Sequence, residues 1–152
     1  MAYSSRDNIM KNVVVIDGQG GGIGSTIIKK LREGYSEQIE IIALGTNAVA
    51  TANMLKAGAN RGASGQNAIV QTSRHADMIV GPISIVMANA MLGELTPSMA
   101  EAIASSSARK ILIPLSQENV VVVGVSSNPL PKLIEMMLAE NLAELASGKG
   151  NI

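Results

Sequence analysis

Cysteine is absent from the 152-residue sequence, which excludes a disulfide scaffold, a thiolate nucleophile and a cysteine-ligated zinc. Aromatic residues are almost absent: Tyr3 and Tyr35 are the only two. No set of rings is therefore available to stack nucleic-acid bases, and the core has to be built from Ile, Val, Leu, Ala and Met. Charge of one sign is missing too, since 12 Lys and Arg balance 12 Asp and Glu. A neutral chain offers no basic face to nucleic acid or anionic lipid. No apolar run is long enough to span a bilayer, and Met1 to Asn12 lacks the apolar core of a signal peptide. The expectation is a cytoplasmic protein with neither nucleic acid nor membrane as partner.

What is present suffices for one folded domain: 47% hydrophobic and 16% charged residues over an ordinary domain length. Residues 1–11 read as a flexible tail, 12–147 as a single Rossmann-like domain, and 148–152 as a frayed end. Val13-Val14-Val15-Ile16-Asp17 is a continuous apolar run closed by an acid, as in a central parallel strand covered on both faces. A helix follows from about Ile23, with Ile23, Ile27 and Leu31 on one stripe and Gly34 at its end. Ile39 to Leu44 reads as the second strand and Ala48 to Ala57 as the second helix, stopped by Gly58. Ala59 to Gly65 reads as a loop, with Ser64 as cap of a short helix to Arg74.

Asp77 to Val80 is the next strand, followed by Gly81-Pro82. No charged residue stands between Asp77 and Glu94, so Ile83 to Leu92 is expected to form an apolar helix, buried in the fold or against another subunit of a homo-oligomer. Thr96-Pro97 opens a helix to about Ser106, with Thr as cap and Pro in the first turn. Lys110 to Pro114 is a strand, and only Leu115 to Asn119 separate it from Val120 to Val123. So short a connection cannot cross over, and an antiparallel hairpin is expected there. The last helix is expected over Pro131 to Ala146. Alternating strands and helices with short connections give an α/β fold: a Rossmann-like open, mostly parallel sheet with helices on both faces and a terminal antiparallel hairpin strand.

The chemistry-bearing feature is Asp17-Gly18-Gln19-Gly20-Gly21-Gly22-Ile23-Gly24-Ser25-Thr26, where the first strand feeds the first helix. Glycine lets the backbone approach a ligand, and a helix N-terminus offers unpaired N–H groups to an anion. A purely structural tight turn is the competing explanation. The strict G-x-G-x-x-G register fails, because its third glycine falls on Ile23 or Ser25. The short-chain dehydrogenase form G-x-x-x-G-I-G fits Gly18, Gly22, Ile23 and Gly24. The ParA-like ATPase loop aligns from Gly18 to Thr26 without gaps, but Gln19 and Gly24 replace its lysines, which argues against ATP hydrolysis.

A dinucleotide site also asks for a carboxylate at the end of the second strand, on the ribose hydroxyls. Gly45-Thr46-Asn47 stands there instead. Thr46 and Asn47 either bond a ribose or a 2′-phosphate, or cap the helix. Asp17 either meets a metal or hydroxyl, or accepts N–H bonds from the glycine turn and fixes its shape. Gly81, Pro82 and Ser116 stand at the same carboxyl edge, as lining or as ordinary turns.

No catalytic set is evident. Neither tyrosine is followed by a lysine four residues on, and no serine–histidine–aspartate set, nucleophile elbow or metal-ligand spacing occurs. His75 reads as a helix-end residue on the opposite edge; Arg61 and Asn67 are the remaining polar candidates for substrate contact.

Four stretches carry a resemblance: residues 15–24 (VIDGQGGGIG), 42–48 (IALGTNA), 79–83 (IVGPI) and 110–115 (KILIPL). Over residues 12–146 the chain resembles a family of small bacterial proteins of unknown function. The resemblance implies a Rossmann-like, anaerobe-associated cytoplasmic protein and supplies no activity.

The residues thus lead to a nucleotide- or dinucleotide-binding protein, with an NAD(P)-type ligand favoured. Its expected contacts are Gly18, Gln19, Gly20, Gly21, Gly22, Ile23, Gly24, Gly45, Thr46, Asn47, Gly81 and Pro82. Two alternatives stand beside it: an oxidoreductase or other enzyme completed by a partner subunit, and a self-assembling structural protein whose glycine turn serves packing alone. Amides near Gly20 already occupied by protein oxygens, with no room outside, would remove the nucleotide reading.

Overall fold

A computed structural model of the chain describes residues 11–115, 118–142 and 145. Residues 1–10 of the expected tail, the expected frayed end at 148–152 and Ser116 lie outside the described residues. In chain order the elements are β1 (Lys11–Asp17), α1 (Gly22–Tyr35), β2 (Ile39–Gly45), α2 (Ala48–Lys56), β3 (Arg61–Ser64), α3 (Gln66–Ser73), β4 (Met78–Pro82), α4 (Pro97–Ser105), β5 (Arg109–Ile113) and α5 (Leu130–Met136).

The five strands form one sheet in the order β3-β2-β1-β4-β5, and every neighbouring pair is parallel. Successive side chains of a strand point to opposite faces, and the apolar strands supply both. Val13, Val15, Ile41, Ala43, Met78 and Val80 join α1, α2 and α5 in one core. Val14, Ile16, Ile42, Leu44 and Ile79 join α3 and α4 in the other. The chain is therefore doubly wound, as expected from the sequence, and its winding reverses between β1 and β4. In open α/β sheets the carboxyl edge at such a reversal is where ligands collect.

Several local expectations need correction. The antiparallel hairpin does not form. Val120 to Val123 lie outside the sheet and are exposed. The short connection indeed makes no crossover, but the run bends away: the Val125 N–H donates to the Val122 carbonyl, and Gly124 takes φ +90°. The sheet has instead β3, which the sequence hid as a loop. It is a short, wholly exposed edge strand of Arg-Gly-Ala-Ser, without an apolar pattern.

Ile83 to Leu92 is not a helix. Ile83–Val86 forms a single 3-10 turn, after which Asn89, Met91 and Leu92 take left-handed backbone, φ +67°, +59° and +57°. Ser84, Ile85, Ala90 and Met91 are buried within the chain itself, and Leu92 is 98% exposed. The uncharged stretch is thus largely buried in its own fold and presents no apolar helix to a second subunit. Gly65, φ +97°, rather than Ser64, stands at the cap of α3. Ser64 Oγ lies 2.7 Å from Thr51 Oγ1. The last helix is α-helical from Leu130 to Met136 and continues as a π turn over Met137–Asn141; Leu145 is again helical, and residues 143, 144 and 146 of the expected range lie outside the described residues.

Candidate functional site

β1 ends on Asp17, and its carboxylate turns back onto the loop that follows. Gly18 N–H donates to Oδ1 at 2.8 Å and Gly24 N–H to Oδ2 at 2.7 Å, with the Ile23 amide a further donor. A buried carboxylate thus caps the start of α1 from the preceding strand, where the partial positive charge of the helix favours it. Burial pushes the Asp17 carboxyl above the ordinary aspartate value; the amides of Gly24, Gly18 and Ile23 oppose this, and Glu94 adds a smaller upward push. Of the two sequence alternatives for Asp17, the acceptor that fixes the turn is the one realised.

A second carboxylate reaches the loop from far along the chain. Glu94 Oε1 accepts from the Gln19 N–H at 2.8 Å, Thr46 Oγ1 at 2.6 Å and Asn47 Nδ2 at 2.9 Å. Partial burial pushes this carboxyl up, but the three donors outweigh it and hold Glu94 below the ordinary glutamate range. Sequence reasoning missed Glu94, which is 75 residues from Gln19. Its only signal was being the first charge after a long uncharged stretch. Asn53, also missed, donates to the Gly20 carbonyl at 2.8 Å and ties α2 to the loop.

These bonds decide which amides remain. Gly18, Ile23 and Gly24 are held by Asp17, Gln19 by Glu94, and Gly21 by the Gly18 carbonyl at 2.8 Å. From Gly18 to Gly24 that leaves Gly20 and Gly22, which have no acceptor among the described residues and are exposed. The glycines divide the same way. A Cβ on Gly18 would meet Met91 Sδ at 2.5 Å, and one on Gly24 would meet Met54 Sδ at 2.6 Å. Gly21 has φ +71° and packs on the Ala50 backbone. At Gly20 and Gly22 a Cβ would meet nothing within 4 Å.

Beside the loop, at the β1/β4 reversal, opens a cleft of about 480 Å³ lined by Asp17, Gln19, Ile23, Pro82, Ser84, Met91, Leu92, Leu115 and Glu118. Its volume is within the range of small-ligand sites. Its charged lining is acidic, so it suits an uncharged group with hydrogen-bond donors rather than a phosphate.

Of the expected contacts, Gln19, Ile23 and Pro82 line the cleft. Gly45 and Gly81 are buried packing positions, where a Cβ would strike Thr51 and the Ile16 carbonyl. Asn47 caps α2 by accepting from Ala50 N–H at 2.9 Å and spends its amide on Glu94 and the Gln19 carbonyl. Thr46 spends its hydroxyl on Glu94. Both are thus engaged by protein. Arg61 pairs with Glu40, Nε to Oε2 3.0 Å, away from the cleft, and Asn67 and His75 are exposed outside its lining. Among the described residues no group of three or more His, Asp and Glu is placed to hold a metal ion. No helix among them is long and apolar enough to cross a membrane.

Comparison with known proteins adds a family. The model of a domain of unknown function, DUF3842, matches residues 12–146. The chain belongs to the DUF3842 family. The match spans every strand except the first residue of β1, and so the whole glycine turn, both carboxylates and the cleft of this DUF3842 domain. No curated protein matches the chain. Among solved structures it is similar to a dodecameric FMN-dependent UbiX-like decarboxylase from Escherichia coli O157:H7, at 17% identity over 90% of this chain and 76% of that one, TM-score 0.45.

Proposed function

We propose that the protein binds a nucleotide, with phosphate on the Gly20 and Gly22 amides and the neutral end of the ligand in the β1/β4 cleft. One coincidence carries the reading. The two turn amides without an acceptor among the described residues belong to the two turn glycines at which an added Cβ would meet none of them within 4 Å. A loop made only for packing has no use for glycine at those positions, whereas a phosphate approaching bare amides at a helix start does.

The expected phosphate site is narrower than the full glycine turn, because Asp17 and Glu94 already occupy its flanks. Five of the seven amides from Gly18 to Gly24 have protein acceptors, so the proposal rests on Gly20 and Gly22 alone, which are exposed and have no acceptor among the described residues. A dinucleotide of NAD(P) type is the ligand favoured: Gln19 and Ile23, which flank the Gly20 and Gly22 amides, line the cleft, and Glu94, held by Thr46 and Asn47 at the end of β2, bonds the Gln19 amide. Binding is the function proposed, since no acid–base pair for hydride chemistry lies among the described residues that line the cleft.

Titration of the full chain with NADH, NADPH, ADP, ATP and coenzyme A, followed by thermal shift and calorimetry, tests this. A ligand at one hundred times its Kd stabilises the folded state by about 2.7 kcal/mol. The reading predicts a rise in Tm with at least one adenine nucleotide, lost in Gly20→Val and Gly22→Val. The absence of any shift at millimolar ligand contradicts it.

A further inference from the structure

We infer that Glu94 is the group that recognises the ribose of the bound nucleotide, accepting its vicinal 2′- and 3′-hydroxyls and selecting against a 2′-phosphate. The inference rests on the nucleotide reading above and adds the specificity of the same site.

Open α/β dinucleotide sites place a carboxylate at the end of the second strand, on the ribose hydroxyls. Here β2 ends in Gly45-Thr46-Asn47 with no acid. The structure brings one there from the segment between β4 and α4. Glu94 Oε1 is held by Thr46 and Asn47, the two residues that follow β2, and by the Gln19 amide, which precedes the free Gly20 amide. An acid missing from the local sequence is thus present in space, next to the proposed phosphate position.

The division of labour between its two oxygens supports a ligand. All three protein donors fall on Oε1, and Oε2 has no donor among the described residues. A glutamate serving only as a tether needs no more than the first oxygen. A half-buried carboxylate with one oxygen saturated and the other open is positioned and still able to accept. The chain also adopts unfavourable backbone to deliver it: Met91 and Leu92, just before Glu94, are non-glycine residues in the left-handed region, a conformation that persists where the surroundings impose it.

The chemistry sets the preference. A carboxylate oxygen accepts from hydroxyl donors and repels a phosphate dianion, so a free diol is favoured and a 2′-phosphate disfavoured. The described residues lining the cleft and the loop include no arginine or lysine to reverse that sign.

Glu94→Gln isolates the effect. The glutamine carbonyl keeps the three donors now on Oε1, and its NH2 replaces the open oxygen, turning an acceptor into a donor. Calorimetry of the full chain with NADH and NADPH is expected to show NADH at least about tenfold tighter, the worth of a hydrogen bond to a charged group. In Glu94→Gln that preference is expected to vanish or invert. A comparison needing no variant is ADP against 2′-deoxy-ADP on the unaltered protein, with the deoxy form about tenfold weaker. Equal binding of NADH and NADPH, or a ratio unmoved by Glu94→Gln, overturns the role of Glu94 and leaves the nucleotide reading standing. No binding of any of the four overturns the role of Glu94, and if ATP and coenzyme A do not bind either, the nucleotide reading falls with it.

Discussion

Asp17 Oδ2 and the Gly24 amide, seven residues apart, meet at 2.7 Å inside the protein, closing the glycine turn on itself. This bond ties the end of β1 to the first turn of α1 across the glycines. Asp17→Ala leaves the Gly18 and Gly24 amides without their acceptor and is expected to cost about 1–3 kcal/mol.

The pH dependence of that cost has a definite sign. Burial raises the Asp17 carboxyl in the folded protein above its ordinary value of 3.8. The fold therefore favours the protonated form. The advantage of the natural protein over Asp17→Ala is fullest below the ordinary aspartate value and shrinks as pH rises from there through the raised value. Urea unfolding of both proteins across that window measures it; an advantage that grows with pH would contradict this sign.

The turn glycines should separate into two mutational classes. Gly24→Ala puts a methyl group 2.6 Å from Met54 Sδ and 3.0 Å from Asp17 Cβ, an overpacking expected to cost about 1–3 kcal/mol. Gly20→Ala and Gly22→Ala enter open space, so stability should change by less than about 1 kcal/mol, with Gly22 gaining from better helix propensity. Any nucleotide affinity should respond in the reverse order per unit of stability lost. Equal destabilisation at Gly22 and Gly24 would show that packing, not ligand approach, explains both.

What the sequence revealed follows from where each signal resides. β1, β2 and β4 were legible because strands buried on both faces must be apolar throughout, and β5, an edge strand with only Ile113 buried, because it still carries the apolar run Ile111 to Ile113. β3 was not, since an exposed edge strand needs no apolar residue, and Arg-Gly-Ala-Ser has none beyond Ala63. Four successive valines look like a strand by propensity, yet Val120 to Val123 pair with nothing in the sheet, because propensity does not choose a partner. The glycine turn was legible because its chemistry is contiguous. Glu94 was not, because its meaning depends on a contact across 75 residues with Gln19 and 48 with Thr46. No spacing rule reaches that far.

Arg32 holds the opposite end of this half of the fold. Its Nε donates to the Gly58 carbonyl at 2.8 Å, and Nη1 donates to Ser36 and Ile39 carbonyls at 2.6 and 3.0 Å. Nη2 bonds the Asn60 side chain. Lysine carries the charge but not the planar fork. Arg32→Lys is expected to lose about 1–3 kcal/mol through unsatisfied carbonyls, with little change in any ligand affinity measured below the new Tm. A neutral result would mean that these carbonyls are solvated without loss.

Val121 and Val123 are 87% and 94% exposed. Because they contribute no burial within the chain, Val121→Ser and Val123→Ser should each shift stability by no more than about 0.5 kcal/mol. Had the hairpin expected from sequence formed, some of these valines would face the core and their loss would be felt. Chemical denaturation distinguishes the two: a clear loss at either position restores the strand.

Glu94 gives the opposite pH signature from Asp17. Its three donors hold the carboxyl below the ordinary glutamate value of 4.5 in the folded protein. The stability it confers is present above that ordinary value and disappears as pH falls through the lowered one. Glu94→Ala should therefore be destabilising at neutral pH and converge on the natural protein in acid. Because the ionised Glu94 also helps to raise Asp17, removing its charge should let Asp17 ionise at lower pH. Carboxyl titration by NMR in Glu94→Gln tests the coupling: Asp17 should move down, and an Asp17 that does not move would mean that the two carboxylates, though they grip neighbouring amides of one turn, do not sense each other's charge.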